Sequence, residues 1–262
     1  MEGFEEAVRL EVKTDHKALR AQAEWCGIGS GLRVLDVGCG PGKTSSVLRD
    51  MVQPGGEVLG VDFSTQRIER ARQKYGEKPG LDFQVHNFYD SLEDFGLFDR
   101  IWVRFVLEYH RKESPGIVSN LVRCLKPGGY LCLIDLDHNA LNHYPLPGRM
   151  EHILFKILAL LEEKYDFDPY AGRKLYSYLF DQGLEQIQAD IRAHHLIYGK
   201  VNDVDMFNWI KKLEMVTDKA PEVFEDYPGG HLTFFDDFNR FFKDPRRFTY
   251  TPMILCKGMK KS

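Results

Sequence analysis

Chemistry in this 262-residue chain concentrates at Val34-Leu35-Asp36-Val37-Gly38-Cys39-Gly40-Pro41-Gly42-Lys43-Thr44. An apolar run carries the carboxylate Asp36 at its end and passes through three alternate glycines into a helical pattern. Glycine at 38, 40 and 42 lets the backbone turn sharply and meet a ligand with no Cβ between them. A nucleotide-like ligand suits such a turn, and the spacing separates the classes. Gly42-Lys43-Thr44 supply the last three residues of a phosphate-binding G-x-x-x-x-G-K-[ST] loop, but its first glycine would fall on Val37. The dinucleotide fingerprint G-x-G-x-x-G would place its third glycine on Lys43. Both classes bind phosphate, which Asp36 repels; a cationic ligand makes the same carboxylate attractive.

Further chemical residues follow in order. Asp62 ends a second apolar run twenty residues beyond Gly42, where a carboxylate can accept from both hydroxyls of a ribose. Arg104 and Phe105 end a fourth run, with Tyr109 and His110 just beyond. His110 is the candidate for orienting an acceptor or removing its proton, with Tyr109 beside it.

Leu35-Asp36-Val37-Gly38-Cys39-Gly40-Pro41-Gly42 resembles the first motif of the class I S-adenosylmethionine-dependent methyltransferases. Val58–Ser64 is similar to that family's second strand, and Phe98–His110 to its fourth strand and Leu-Glu-His-like turn, as in the ubiquinone/menaquinone-biosynthesis branch. Leu125-Lys126-Pro127-Gly128-Gly129 resembles its turn before strand five, and Gly172–Leu184 its helix before strand six. The resemblance spans about residues 30–197 and the last strand. It implies S-adenosylmethionine as cofactor, held by Asp36, Gly38, Cys39, Gly40, Gly42, Asp62, Phe63, Asn87, Phe88, Arg104 and Phe105. Asn87 stands where the family usually has an aspartate against the adenine. The activity implied is methyl transfer to a small, hydrophobic or aromatic organic acceptor. An NAD-dependent oxidoreductase and a non-catalytic S-adenosylmethionine-binding protein are the alternatives. His138, His143 and Tyr144, after strand five, are expected to contact the acceptor, and no metal site is expected.

Positioning these groups calls for alternating strands and helices. Apolar runs predict strands at Leu32–Val37, Glu57–Asp62, Asp82–His86, Phe98–Val103 and Tyr130–Asp135, with helices at Lys43–Met51, Ser64–Tyr75 and Pro115–Cys124 between them. Lys126-Pro127-Gly128-Gly129 reads as a turn. Later strands are expected at Gln186–Leu196 and Tyr250–Lys257. Together these give an α/β, Rossmann-like, doubly wound, seven-stranded, mostly parallel sheet with the last strand antiparallel, plus helical lid insertions. The expected divisions are an N-terminal helical cap over 1–28, a cofactor-binding core over 29–137, a lid insertion over 138–170, a core continuation over 171–199, a second lid insertion over 200–247, and a last strand and tail over 248–262. Both insertions would leave from carboxyl ends of strands, the edge at which open α/β sheets bind ligands. In the cap, Arg9 or Arg20 would meet the cofactor's carboxylate.

Composition limits the remaining classes. A formal net charge of -4 disfavours a nucleic-acid partner, which calls for a basic surface. Five cysteines without a C-x-x-C pair read as reduced, buried thiols. The acidic start Met-Glu-Gly-Phe-Glu-Glu, and the interruption of the apolar stretch Ile153–Leu161 by Lys156, predict a soluble cytoplasmic protein with no stable membrane insertion.

Overall fold

The computed structural model describes residues 16–138, 140–219 and 221–261. Its sheet holds seven long strands: β1 (Arg33–Val37), β2 (Glu57–Asp62), β3 (Leu81–Val85), β4 (Phe98–Arg104), β5 (Leu125–Leu136), β7 (Glu185–Tyr198) and β8 (Phe248–Met259). A two-residue strand, β6 (His143–Tyr144), pairs with the start of β8. The hydrogen-bonded order is β3-β2-β1-β4-β5-β8, with β7 on the far side of β8. Strands β1 to β5 pair in parallel, and β8 is antiparallel to both β5 and β7. This is the expected doubly wound, mostly parallel α/β fold.

Helices cover both faces because the central strands are apolar on both sides. On one face α1 (His16–Trp25), α2 (Lys43–Val52) and α3 (Thr65–Tyr75) bury Leu19, Leu48, Ile68 and Ala71 against Val34, Trp102 and Leu255. On the other, α4 (Ser114–Arg123) and α6 (Leu175–Asp181) bury Ile117, Leu121 and Leu179 against Leu35, Ile101, Leu133 and Cys256. The start of α3 is capped by Ser64, whose side chain accepts from the Arg67 N–H. All five cysteines are buried and unpaired in disulfides.

One boundary differs. The Lys126-Pro127-Gly128-Gly129 segment lies inside β5, because Leu125 already pairs with Phe98 before the register jumps to Arg100 with Tyr130. Gly128, at φ 74°, absorbs the irregularity without ending the strand.

The insertions carry a core of their own. Helices α5 (Gly148–Tyr165), α7 (Asp203–Lys219) and α8 (Gly230–Lys243) bring together Ile153, Leu154, Ile157, Trp209, Leu213, Phe234, Phe238 and Phe242. The α8 phenylalanines recur at i, i+4 and i+8, which places them on one face. Arg247 fastens this unit to the sheet: fully buried, it donates to the carbonyls of Phe242, Ile197 and Gly199 and lies 4.7 Å from the Phe242 ring centre. No described helix is long and apolar enough to cross a membrane.

Phe238→Ala should lower unfolding stability by about 3–5 kcal/mol, the usual cost of truncating a buried phenylalanine. Denaturant titration checks this. Because Phe238 packs mainly among the aromatic side chains of the helical insertions, the loss should leave the central sheet's far-UV circular dichroism below the transition unchanged.

Candidate functional site

Strand β1 delivers Asp36 and the glycine turn to the carboxyl edge of the sheet. The turn is fixed by backbone: the N–H groups of Gly38 and Cys39 both donate to Val61 O, at 2.8 and 3.0 Å. Its three glycines have φ of 71°, 55° and 84°, in the left-handed region that side chains resist. Their surroundings differ. A Cβ on Gly38 would collide with Val106, and one on Gly42 would come within 2.8 Å of Ala71 and Phe83. On buried Gly40 a Cβ would meet nothing within 4 Å. The outer two glycines therefore serve packing, while the middle one borders open space suited to a ligand.

Two buried carboxylates flank that space. Asp62 accepts from the Gly40 N–H at 2.9 Å and the Ser64 N–H at 3.0 Å, with Arg67 at 3.9 Å. Asp36 accepts from the Ser45 hydroxyl at 2.6 Å. Burial raises its pKa to about 7, against lowering by that hydrogen bond and by the Arg104 charge; Asp62 adds a smaller upward push. The half-buried Arg104 closes the set from β4. Its Nε donates to Gln22 Oε1 on α1 at 2.9 Å, and its guanidinium lies 4.0 Å from the Phe105 ring centre. Burial lowers its pKa to about 10, opposed by the carboxylates of Asp36, Asp135 and Glu108, so the guanidinium is cationic at neutral pH. Cys39 is buried, and burial pushes its thiol well up, which makes it a packing residue without a thiolate.

The β2–β3 side presents an exposed Phe63, edge-on to Phe88 with centroids 6.3 Å apart. Phe88 itself is buried in the core, and Asn87 turns its side-chain oxygen to the Tyr89 N–H. His110 lies here too: its Nδ1 is 2.5 Å from the Tyr89 hydroxyl and its ring 5.2 Å from Phe88. Burial pushes its pKa below the ordinary imidazole range, against an upward pull from Asp166. Tyr109 points elsewhere, toward Phe167 at 5.7 Å.

On the opposite side, Phe105 takes a left-handed φ of 59° and stands edge-on to His194 at 4.9 Å. Aromatic contacts continue through His195 at 4.3 Å and Trp209 at 6.1 Å, linking the crevice to the lid core. The three residues after strand five are dispersed. His138 lies against Tyr170 at 5.1 Å. His143 is enclosed by Trp209, Phe238 and Phe241, bonded to Thr249 and the Ala140 carbonyl, and its pKa falls to about 4 through burial. Tyr144, 74% exposed, points away from that core because neighbouring strand residues face opposite sides. Arg9 lies outside the described residues, and Arg20 is exposed on α1.

Gln22 carries no signal in the sequence motifs, and the contact between Glu108 and Asp135, each legible near a strand end, is visible only in the structure. Gln22 is buried at the i+3 position of an i, i+3, i+4 stripe between Leu19 and Ala23, and a polar residue in an apolar stripe is its signal. Asp135 accepts from the Glu108 and Leu136 N–H groups, and burial, then the neighbouring Glu108 carboxylate, pushes its pKa well up.

Residues 34–129 match the family profile described as a methyltransferase domain. Over 117 residues the chain is 32% identical to the demethylmenaquinone methyltransferase of Lactococcus lactis, covering 44% of this chain and 46% of that protein. The matches span 46%, 33% and 55% of three curated relatives, about half their length. In fold, the chain is similar to Haemonchus contortus phosphoethanolamine N-methyltransferase 2, solved in complex with S-adenosyl-L-methionine (TM-score 0.57, 17% identity, 94% of this chain, 53% of that one). It is also similar to the [4+2]-cyclase SpnF (TM-score 0.56, 16% identity, 94% and 81% covered). The domain match agrees with the resemblance read from the glycine turn.

Raised pKa at Asp36 makes stability pH-dependent with a defined sign. The folded carboxyl holds its proton to about 7, whereas an ordinary aspartate releases it at 3.8, so its contribution is fully present below pH 3.8 and lost as pH rises through 7. Asp36→Asn, which still accepts from Ser45, should therefore gain on the natural protein between those pH values, by up to ~4 kcal/mol at about 1.36 kcal/mol per pKa unit, and plateau above pH 7. Denaturant unfolding of both proteins at pH 5 and 8 checks this; an equal gap at both values would contradict it.

Proposed function

We propose that the protein uses S-adenosylmethionine to methylate a small, hydrophobic or aromatic organic molecule. What carries the reading is the open space at Gly40 between two buried carboxylates, a site shaped for a cationic nucleoside. The donor set fits that cofactor. Asp62 is held by two backbone amides with lone pairs left for the ribose hydroxyls, and Phe63 with Asn87 would receive the adenine, Phe88 backing Phe63. Asp36 and Arg104, opposite charges at adjacent strand ends, would read the α-ammonium and α-carboxylate of the methionine part. Gly38, Cys39 and Gly42 hold the turn that makes room for it.

Bound there, S-adenosylmethionine would supply an electrophilic methyl group, leaving the protein to align the acceptor and exclude water. The wall formed by Phe105, His194, His195 and Trp209 is aromatic and leads into the insertions, which supports an apolar ring-bearing acceptor on this side. His138, just after strand five and against Tyr170, would contact the acceptor from the start of the first insertion. His143, its pKa lowered to about 4, is a neutral imidazole that shapes the lid core, and Tyr144 frames the same strand from outside. His110 is neutral at physiological pH and bonded to the Tyr89 hydroxyl, so it is equipped to take a proton, with Tyr109 beside it in the same turn.

Calorimetric titration with S-adenosylhomocysteine and with NADH tests the reading. We expect S-adenosylhomocysteine alone to bind, Asp62→Ala to weaken it at least about a hundredfold, and Arg104→Met about tenfold, consistent with loss of charge-assisted hydrogen bonds. Binding of NADH alone would make the protein an oxidoreductase. Tight S-adenosylhomocysteine binding without turnover across a broad panel of acceptors would make it a non-catalytic binder.

A further inference from the structure

Among the described residues, the outer face of β6, the end of β7 and the start of β8 is uncovered. In register, Tyr144 lies opposite Phe248, Phe248 opposite Tyr198, and Tyr250 opposite Leu196; further along, Ile191 is exposed while its partner Ile254 is partly buried beneath Gly172. Their alternate neighbours, Thr249, Thr251, Met253 and Ile197, are buried on the other side. Tyr144 is 74% exposed, Ile191 71%, Tyr198 66%, Leu196 54%, Phe248 43% and Tyr250 41%. Tyr198 stacks on Phe248 at 6.4 Å and 19°. Helix α6 packs against the sheet alongside Leu184 and Cys256, at the opposite end of these strands. Strand β7 is also an edge, paired only with β8 among the described residues.

We propose that this face is the two-fold interface of a homodimer, with a second copy of the chain as its occupant. Size supports it. At about 200 Å² for a fully exposed aromatic side chain, the six residues offer roughly 700 Å² per copy, close to the roughly 800 Å² per partner of a stable interface. Chemistry favours a copy over other occupants. None of the six side chains is charged at neutral pH, so the face is its own complement and meets itself across a two-fold axis without like-charge repulsion. Tyrosine and phenylalanine are the residues enriched at such contacts. A lipid surface would call for flanking cations, whereas the turn beside Phe248 holds Arg246 in an ion pair with Asp244, and the chain's net charge is -4. The aligned packing of two sheet faces, about 10 Å apart, would interleave the tyrosine rings.

Sedimentation velocity of the full chain over a roughly hundredfold range about the micromolar tests this. We expect a monomer–dimer equilibrium, with Leu196→Glu/Tyr198→Glu raising the dissociation constant at least about tenfold while the melting temperature stays that of the natural monomer. Should that double variant fail to fold, Tyr144→Glu gives the same readout at a position 74% exposed. A natural protein monomeric throughout would overturn the proposal. So would a dimer of unchanged strength in the variants, or a monomer that co-sediments with phosphatidylcholine vesicles.

Discussion

The Asp62 carboxylate is the constraint on which the crevice depends. Buried at the end of β2, it holds the Gly40 N–H with one oxygen and the Ser64 N–H with the other. One side chain thereby ties the glycine turn after β1 to the start of α3. The Gly38 and Cys39 amides reinforce the tie by sharing Val61 O. A turn built from three glycines with positive φ has large conformational entropy to lose. The three hydrogen bonds from the Gly38, Cys39 and Gly40 amides to one short stretch of β2 hold it in a single shape.

Around that tie the sheet edge concentrates charge that burial disfavours. Asp36, Asp135 and Arg104 all shift toward their neutral forms because burial penalises their charge, and mutual attraction offsets only part of the penalty. Folding alone has little to gain from such a set; apolar residues of similar volume would serve stability better. Its presence at the one edge where an α/β sheet binds ligands is the pattern of a site in which stability is given up for recognition. Helix α1 takes part through Gln22, which orients the Arg104 guanidinium from outside the sheet.

The core was legible because its signals are local. Apolar runs of five or six residues, Ser64 as a cap and Pro115 near a helix start need no partner to be read, and β1, β2 and α3 fall within a residue of expectation. What was missed depends on contacts distant in sequence. Gln22 and Arg104 are 82 residues apart, and nothing near either names the other. At the start of β5 the proline and glycines signal a turn, whereas Leu125 already pairs with β4. In the site, Asp36, Asp62 and the glycines were readable from order and spacing. Phe88 was not distinguishable from Phe63, since both follow strands and only packing buries the first.

The insertions show how one short rule makes two surfaces. Along β8, Thr249 and Thr251 turn inward, where they bond to His143 and His195, while Phe248 and Tyr250 turn outward. Tyr144 and Tyr198 follow the outward set, and His143 and Ile197 the inward one. A shift of β6 by one residue would exchange His143 for Tyr144 in the lid core, bringing a phenol where an imidazole now fits between Thr249 and the Ala140 carbonyl. Register is thus enforced by the inward face, where mismatched polar groups are costly, and the outward face inherits whatever the alternation leaves. The inherited residues are aromatic and β-branched, the types that strands favour on either face.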